Sequence, residues 1–355
     1  MEYFERFHSN TLAGSGNQHI FTNDSGITTS CMLYKVTEGG EYPYSFLFSN
    51  TMDSTYSDGQ ISHKNMVLDS WKIESMRVGI TDFCCEDSFK MPSVLNDVLF
   101  CGSNTKTVNP AELFCSDPIT LFANDGEYIY LEISFSGKTI PYHDESIIPS
   151  FVKKDGEWIP SKLHPFPSMI GAELSPKKKI AFLGDSITQG IGTPVNSYEH
   201  WNAVFAKGMG SKYSYWNLGL GFGRADDAAS DGIWLYKAKK NDIVFVCFGV
   251  NDIIQGFSAE TIKKNLQTIV DKLKSEGIFV IAQTVPPFEL CAEHKELWFK
   301  MTDFVKNELR GADVIFDCAA VISDENGDPI YGGHPNGDGC KIWGAQLLKA
   351  MKEVL

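Results

Sequence analysis

The chain has 355 residues, 43% of them hydrophobic, and a formal net charge of -14. That length favours two domains over one, and the acidity argues against a nucleic-acid or anionic-membrane partner. No apolar run approaches the roughly 20 residues that span a bilayer. The N-terminus, MEYFERFHSNTLAGSGNQ, lacks the basic and apolar regions of a signal peptide, so the expectation is a cytoplasmic protein.

The nine cysteines fit that expectation. Their number is odd, their spacing is scattered, and most sit in apolar runs such as VFVCFG and VIFDCAA. Buried, reduced thiols explain them best. Cys84 and Cys85 do not readily bond to each other, and no paired CxxC pattern marks a zinc site.

Residues 1–165 read as β-structure. The runs TSCMLYKVT, YPYSFLFSN, WKIESMRVGI, DPITLFA and EYIYLEISFSG are short and apolar or alternating, and the turn signals EGGEY, SDGQ and NDGEY punctuate them. Several short strands with polar turns predict an all-β sandwich or jelly roll. The stretch IPSKLHPFPSMIGAELSP comes next, and residues 166–177 are expected to be a linker.

From Lys178 the texture changes. KKIAFLG reads as a buried strand, and the strands YSYWNLGL, DIVFVCFG, GIFVIAQTV and ADVIFDCA then alternate with helices near 197–209, 225–239, 258–276, 291–310 and 339–354. SAETIKKNLQTIVDKLKSEG is the clearest helix, with Ser258 as its cap and Gly277 as its stop. Such alternation predicts an α/β domain, 178–355, on a doubly wound parallel sheet whose ligands sit beyond the carboxyl ends of the strands.

Four of those ends carry candidate chemistry. Ser186, in FLGDSITQG, follows the first strand, where its hydroxyl stands above the sheet or simply caps a helix. NLGLGFGRADD follows the second, with glycines that let a backbone N–H approach a ligand; it fits no phosphate-binding fingerprint. Asn251, in CFGVNDIIQG, follows the third and either donates into the crevice or makes a local turn. His334, in YGGHPNGDG, precedes the last helix and is held off it by Pro335.

Serine, glycine, asparagine and histidine thus arrive in order at successive loops of one sheet. GDS, NLGxG, GVND and HPN resemble the motifs of the SGNH (GDSL-type) hydrolases over about residues 178–355. YSFLFSNTMD and LFCSDPITLFANDGEYIYLEISFSG are similar to the sandwich domain of two-domain bacterial members, among them carbohydrate esterases. The resemblance implies a flavodoxin-like SGNH hydrolase fold and a serine esterase acting on a short, acetyl-type acyl ester of a carbohydrate or small metabolite. An acyltransferase and a silent carbohydrate-binding protein are its alternatives. It also implies no cofactor and no metal, no nucleic-acid or membrane partner, and an acyl ester or acylated sugar as ligand; an oligomer is compatible with it.

In those terms Ser186 is the nucleophile and His334 the general base. The oxyanion hole comprises the N–H of Ser186, a backbone N–H in the Gly221–Phe222 window and the Asn251 side chain. Two departures from the family pattern stand out. Counting five from Asn217 lands on Phe222, where the family has glycine. Tyr331 stands three before His334, where the family has the aspartate that orients the imidazole. A backbone carbonyl in its place, as in related carbohydrate esterases, is one explanation and gives a Ser–His dyad. Asp328 or Asp324 reaching in is a second, and an inactive protein is a third. Asp185 is expected to brace the serine turn. Arg224, Asp226 and Asp227 are expected at a solvated helix start, with lining of the crevice as the alternative, and Trp201 and His200 in the core or at the pocket border, the core being favoured for Trp201.

Overall fold

The computed structural model describes residues 2–14, 16–22, 26–54, 64–143, 147–162 and 164–355. The turn expected at SDGQ (57–60) lies outside them. Two compact units divide the chain, Met1–Ser175 and Pro176–Leu355.

The first unit is built from antiparallel strands. In one sheet Gly40–Ser49 is central; it pairs with Met169–Ala172 on one side and with Leu113–Cys115 and Ile119–Ala123 on the other. In a second sheet Tyr128–Ser136 lies between Thr28–Lys35 and Trp71–Thr81. One core joins the two sheets. Tyr44, Phe46 and Phe48 of the first pack with Met32, Tyr34, Ile73, Val78, Ile129 and Leu131 of the second, which makes the unit a β-sandwich. The opposite face of the second sheet is covered too. Cys31, Leu33, Tyr130 and Phe151 form a smaller core there with Phe89 and Trp158. Burial on both faces explains why these strands read as dense apolar runs rather than clean alternation.

The expected linker is corrected. Met169–Ala172, inside 166–177, is a fully buried strand paired with His8–Ser9 as well as with Gly40–Ser49. The prolines before it obscured a four-residue strand whose apolar length gave no signal of its own.

The second unit holds a five-stranded parallel sheet, β1 (Lys178–Gly184), β2 (Tyr213–Gly219), β3 (Ile243–Cys247), β4 (Phe279–Gln283) and β5 (Val314–Phe316). Its spatial order is β2–β1–β3–β4–β5, the order of flavodoxin-like sheets. Every residue of β2 and β3 is buried, as expected of strands covered by helices on both faces. The edges of Phe182, Trp201, Phe205 and Phe245 meet in one aromatic cluster, and Trp201 stacks on Trp343 at 5.0 Å. Ser258 caps the helix Ala259–Lys274 by accepting from the N–H of Thr261. The helix expected over 225–239 is two, Ala225–Ala229 and Ile233–Ala238, because Ser230 turns extended between them.

The strand order reverses between β1 and β3, on either side of which the chain leaves in opposite directions. The crevice at such a switch point is where a doubly wound sheet binds its ligand. Ser186 and Asn251 follow the two strands that flank it. Among the described residues no helix is long and apolar enough to cross a membrane, and all nine cysteines are free thiols.

Candidate active site

β1 ends at Gly184, and Asp185 breaks the strand. Its carboxylate accepts the N–H of Ile187 at 3.0 Å and caps the turn Ser186–Gln189. This bracing role is the one expected of it. Ser186 opens the turn with 8% of its surface exposed, and its N–H is one that no carbonyl of the turn can accept from. Its Oγ lies 2.9 Å from Nε2 of His334, 148 residues further along the chain.

His334 is held from the other direction. Asn336 caps the helix Gly337–Met351, accepting from the N–H groups of Asp338 and Gly339, and the carbonyl of Tyr331 accepts from Asn336 N–H at 3.1 Å. The histidine therefore stands in a tight turn just before a long helix. The chain after the serine turn presses on it. A Cβ at Gly192 (φ +97°) would lie 2.7 Å from the His334 carbonyl oxygen, so only glycine passes there.

The second motif is tied to the serine turn. Asn217 accepts from Gly219 N–H at 2.8 Å and donates to the Gln189 carbonyl at 3.2 Å. A Cβ at Gly219 would come within 2.1 Å of the Gln189 nitrogen. Leu220 N–H donates to the Gly184 carbonyl, and Gly221 N–H donates to Gln189 Oε1 at 2.7 Å. That last bond corrects one expectation. Gly221 has its donor committed to a buried side chain and is not an oxyanion donor here. Phe222, five after Asn217, takes a positive φ of 58° that an L-residue seldom adopts. The backbone thus keeps the left-handed turn despite the side chain. Asn251 donates one amide N–H to the Gly223 carbonyl at 2.9 Å, and a side-chain amide carries a second.

A buried polar layer supports this loop. Asp252 accepts from the N–H groups of Ala225 and Asp226 at 2.8 and 3.3 Å. Arg224 grips Asp227 with Nε and Nη2, at 2.9 and 2.5 Å, and reaches Gln255 with Nη1 at 3.2 Å. The solvated helix start expected for Arg224 and Asp227 is corrected. Asp227 is 1% exposed and Arg224 9%, because the pair satisfies both charges and removes the need for water. Asp226 is half-buried. Trp201 is in the core, as expected, and His200 is buried beside it in sequence.

Burial sets the electrostatics. It pushes the carboxyl of Asp185 up to about 7, with the neighbouring charge of Asp252 acting in the same direction. It pushes Asp252 up to about 6. Burial also depresses the imidazole of His334 below its ordinary value, while the charge of Glu289 opposes that shift. The ring of Phe288 meets His334 edge-on at 5.2 Å.

The far nitrogen of His334 meets neither the backbone carbonyl nor the displaced aspartate expected in place of the residue at Tyr331. Among the described residues no carbonyl or carboxylate accepts a hydrogen bond from Nδ1. Asp328 pairs with Lys295 at 2.7 Å. Asp324 accepts the N–H groups of Asn326 and Asp328 and so caps its own turn. Both carboxylates are held away by local partners.

No group of three or more His, Cys, Asp or Glu side chains is arranged to hold a metal among the described residues. The GDSL-like Lipase/Acylhydrolase family matches residues 182–342, from inside β1 into the last helix. These residues belong to that family. The GDSL domain makes the protein an ester hydrolase. No curated protein matches the chain. Among solved structures it is similar to a protein described as lipolytic, of the G-D-S-L family, from Desulfitobacterium hafniense (24% identity, 48% of this chain and 98% of the other, TM-score 0.41). It is similar also to a carbohydrate acetylesterase family member from Sinorhizobium meliloti (19%, 50% and 98%, TM-score 0.40) and to an aryl esterase from M. smegmatis (18%, 50% and 100%, TM-score 0.41).

Four residues of the GDSL site carry no signal that the sequence motifs expose. Gln189 stands three after the serine, and its side chain reaches Gly221 across 32 positions of sequence. Asp252 follows Asn251 and reads only as part of a motif. Phe288 and Glu289 lie in VPPFELC, after β4, where no residue type announces a role. Only the position of that segment at a carboxyl-end loop offers a hint.

Proposed function

We propose that the GDSL domain hydrolyses short acyl esters, acetyl esters first, by serine nucleophilic catalysis. The single observation that carries this reading is the 2.9 Å contact between Ser186 Oγ and His334 Nε2. Nucleophile and base at hydrogen-bond distance, at the mouth of a parallel sheet, are the minimum apparatus for acyl transfer. His334 takes the serine proton as Oγ adds to the ester carbonyl. The oxyanion is met by the N–H of Ser186, the N–H of Phe222 and the second amide hydrogen of Asn251. His334 then gives the proton to the leaving alcohol, and water releases the acyl group by the reverse steps. The depressed basicity of His334 keeps the imidazole neutral, and so able to accept a proton, at neutral pH.

The acyl group is proposed to be short because the bordering segments, GIGTPVNSYE, LGFGR, PPFELC and YGGHPN, carry glycine, proline and single aromatics rather than an apolar stretch. A carbohydrate or small metabolite as the alcohol rests on the sandwich unit and on analogy. A series of p-nitrophenyl esters from C2 to C12 tests the reading. Acetate should be the best substrate, and Ser186→Ala and His334→Ala should each lower kcat/KM at least about a thousandfold. Preference for C8 or longer would remove the short-acyl part, and wild-type rates in either variant would remove the mechanism.

A further inference from the structure

The loop after β4 brings one aromatic ring to the base. The rings of Phe288 and His334 meet at 84°, with centroids 5.2 Å apart. Gly333 makes room for this contact, since a Cβ there would lie 3.3 Å from Phe288 Cε2 and crowd the ring. Phe288 is half-buried. Packing against the histidine turn uses one side of the ring, and the rest of it stays open beside the imidazole.

The ring is fixed where it stands. Trp298, buried in the helix Ala292–Asn307, donates its Nε1–H to the carbonyls of Val285 and Pro286, at 3.0 and 2.9 Å. Pro286 and Pro287 are buried and hold the chain leading to Phe288 at fixed φ. An aromatic side chain on so stiff a support loses little freedom when a ligand packs on it.

The chemistry says which part of an ester comes here. The tetrahedral carbon carries Ser186 Oγ, the oxyanion, the acyl chain and the leaving alcohol. The oxyanion is met by donors from the turn after β1 and the loops after β2 and β3. The alcohol oxygen must come within hydrogen-bond reach of His334 Nε2, because that nitrogen returns the proton to it. The leaving group therefore lies on the histidine side, where Phe288 stands. We infer that Phe288 is a wall of the leaving-group subsite and selects an alcohol with a flat apolar face, an aryl ring or the C–H face of a pyranose. This inference rests on the Ser186–His334 reading and adds to it the class of alcohol released.

Hydrolysis of three acetates by the full chain tests it: ethyl acetate, phenyl acetate and a methyl glucopyranoside acetylated at one hydroxyl. Phe288→Leu keeps apolar bulk against the imidazole and removes the flat face. It should lower kcat/KM on the two ring esters about three- to tenfold more than on ethyl acetate, and Phe288→Trp should recover the difference. The acetyl-enzyme is the same from all three esters, so the difference belongs to the step in which the alcohol takes part. An extra loss on phenyl acetate alone assigns an aryl alcohol, and one on the glucoside alone assigns a sugar. An equal loss on all three, or none on any, overturns the subsite and leaves the ring as a prop for the imidazole. In the unaltered chain, benzyl alcohol or methyl glucopyranoside should inhibit ethyl acetate hydrolysis competitively at concentrations where ethanol does not; failure of both also overturns the subsite. A chain that hydrolyses none of the three esters, and whose Ser186 ignores a fluorophosphonate, overturns the esterase reading itself.

Discussion

The turn that carries Ser186 is tied down by hydrogen bonds, whereas the turn that carries His334 is shaped by packing and leaves half of its imidazole unbonded. On the serine side, Asp185 caps the turn, Asn202 donates to the Thr188 carbonyl at 2.6 Å, and Gln189 takes the N–H of Gly221 and, on its carbonyl, the amide of Asn217. Each of these side chains is buried and held by a specific hydrogen bond, so the geometry tolerates little substitution. On the histidine side, Phe288 and the backbone near Gly192 confine the ring by contact. The nucleophile and oxyanion loop are preorganised by bonds, and the base is set by steric enclosure. That division predicts severe losses for changes on the serine side and graded ones around the histidine.

The sharpest probe of the serine side is its oxyanion donor. Asn251→Ala should lower kcat about 10²–10³-fold on p-nitrophenyl acetate with little change in KM, since the amide acts on charge that develops only in the transition state. A loss of less than about threefold would place the donor elsewhere.

A smaller effect should come from cutting the brace beneath that loop. Gln189→Ala leaves the buried N–H of Gly221 without its acceptor and keeps the backbone carbonyl that takes the amide of Asn217. Unfolding in urea should show a loss of about 1–3 kcal/mol, and kcat/KM should drop about tenfold. A stability loss with full activity would separate the fold of the loop from the chemistry.

The smallest and most specific effect concerns pH. The carboxyl of Asp185 titrates in the folded chain at about 7, far above its value in an unfolded chain. The folded state therefore holds the proton more tightly. Its contribution to stability is fully present at low pH, below the unfolded value near 4, and is lost as pH rises through 7. Asp252, raised to about 6, acts in the same direction. The melting temperature should fall between pH 5 and pH 8. Asp185→Asn keeps the acceptor for Ile187 N–H, and it should flatten that fall; an equally steep fall in the variant would show that Asp185 is not its source.

Much of this protein was legible from the chain alone. The apolar runs of β1, β2 and β3 are continuous because helices cover both faces, and that covering gave their limits almost to the residue. The second unit announced its site as well, since GDS, NLGLG, GVND and HPN fall at successive strand ends, where a parallel sheet exposes its chemistry. The strand Met169–Ala172 was hidden because four apolar residues after prolines carry no period. The buried Arg224–Asp227 pair was hidden because a charge at a helix start looks the same in sequence whether water or a partner satisfies it.

What sequence determined, then, was which side chains meet at the crevice, because strand order and local turn chemistry fix the positions of Ser186, Asn251 and His334. What only the tertiary structure decided was who serves them. Gly221 loses its donor to Gln189, Asp328 is drawn off by Lys295, and Phe288 comes to the histidine from a loop 46 residues earlier in the chain. Such assignments depend on competition for hydrogen bonds and charge among segments distant in sequence, and no local pattern records the outcome of that competition.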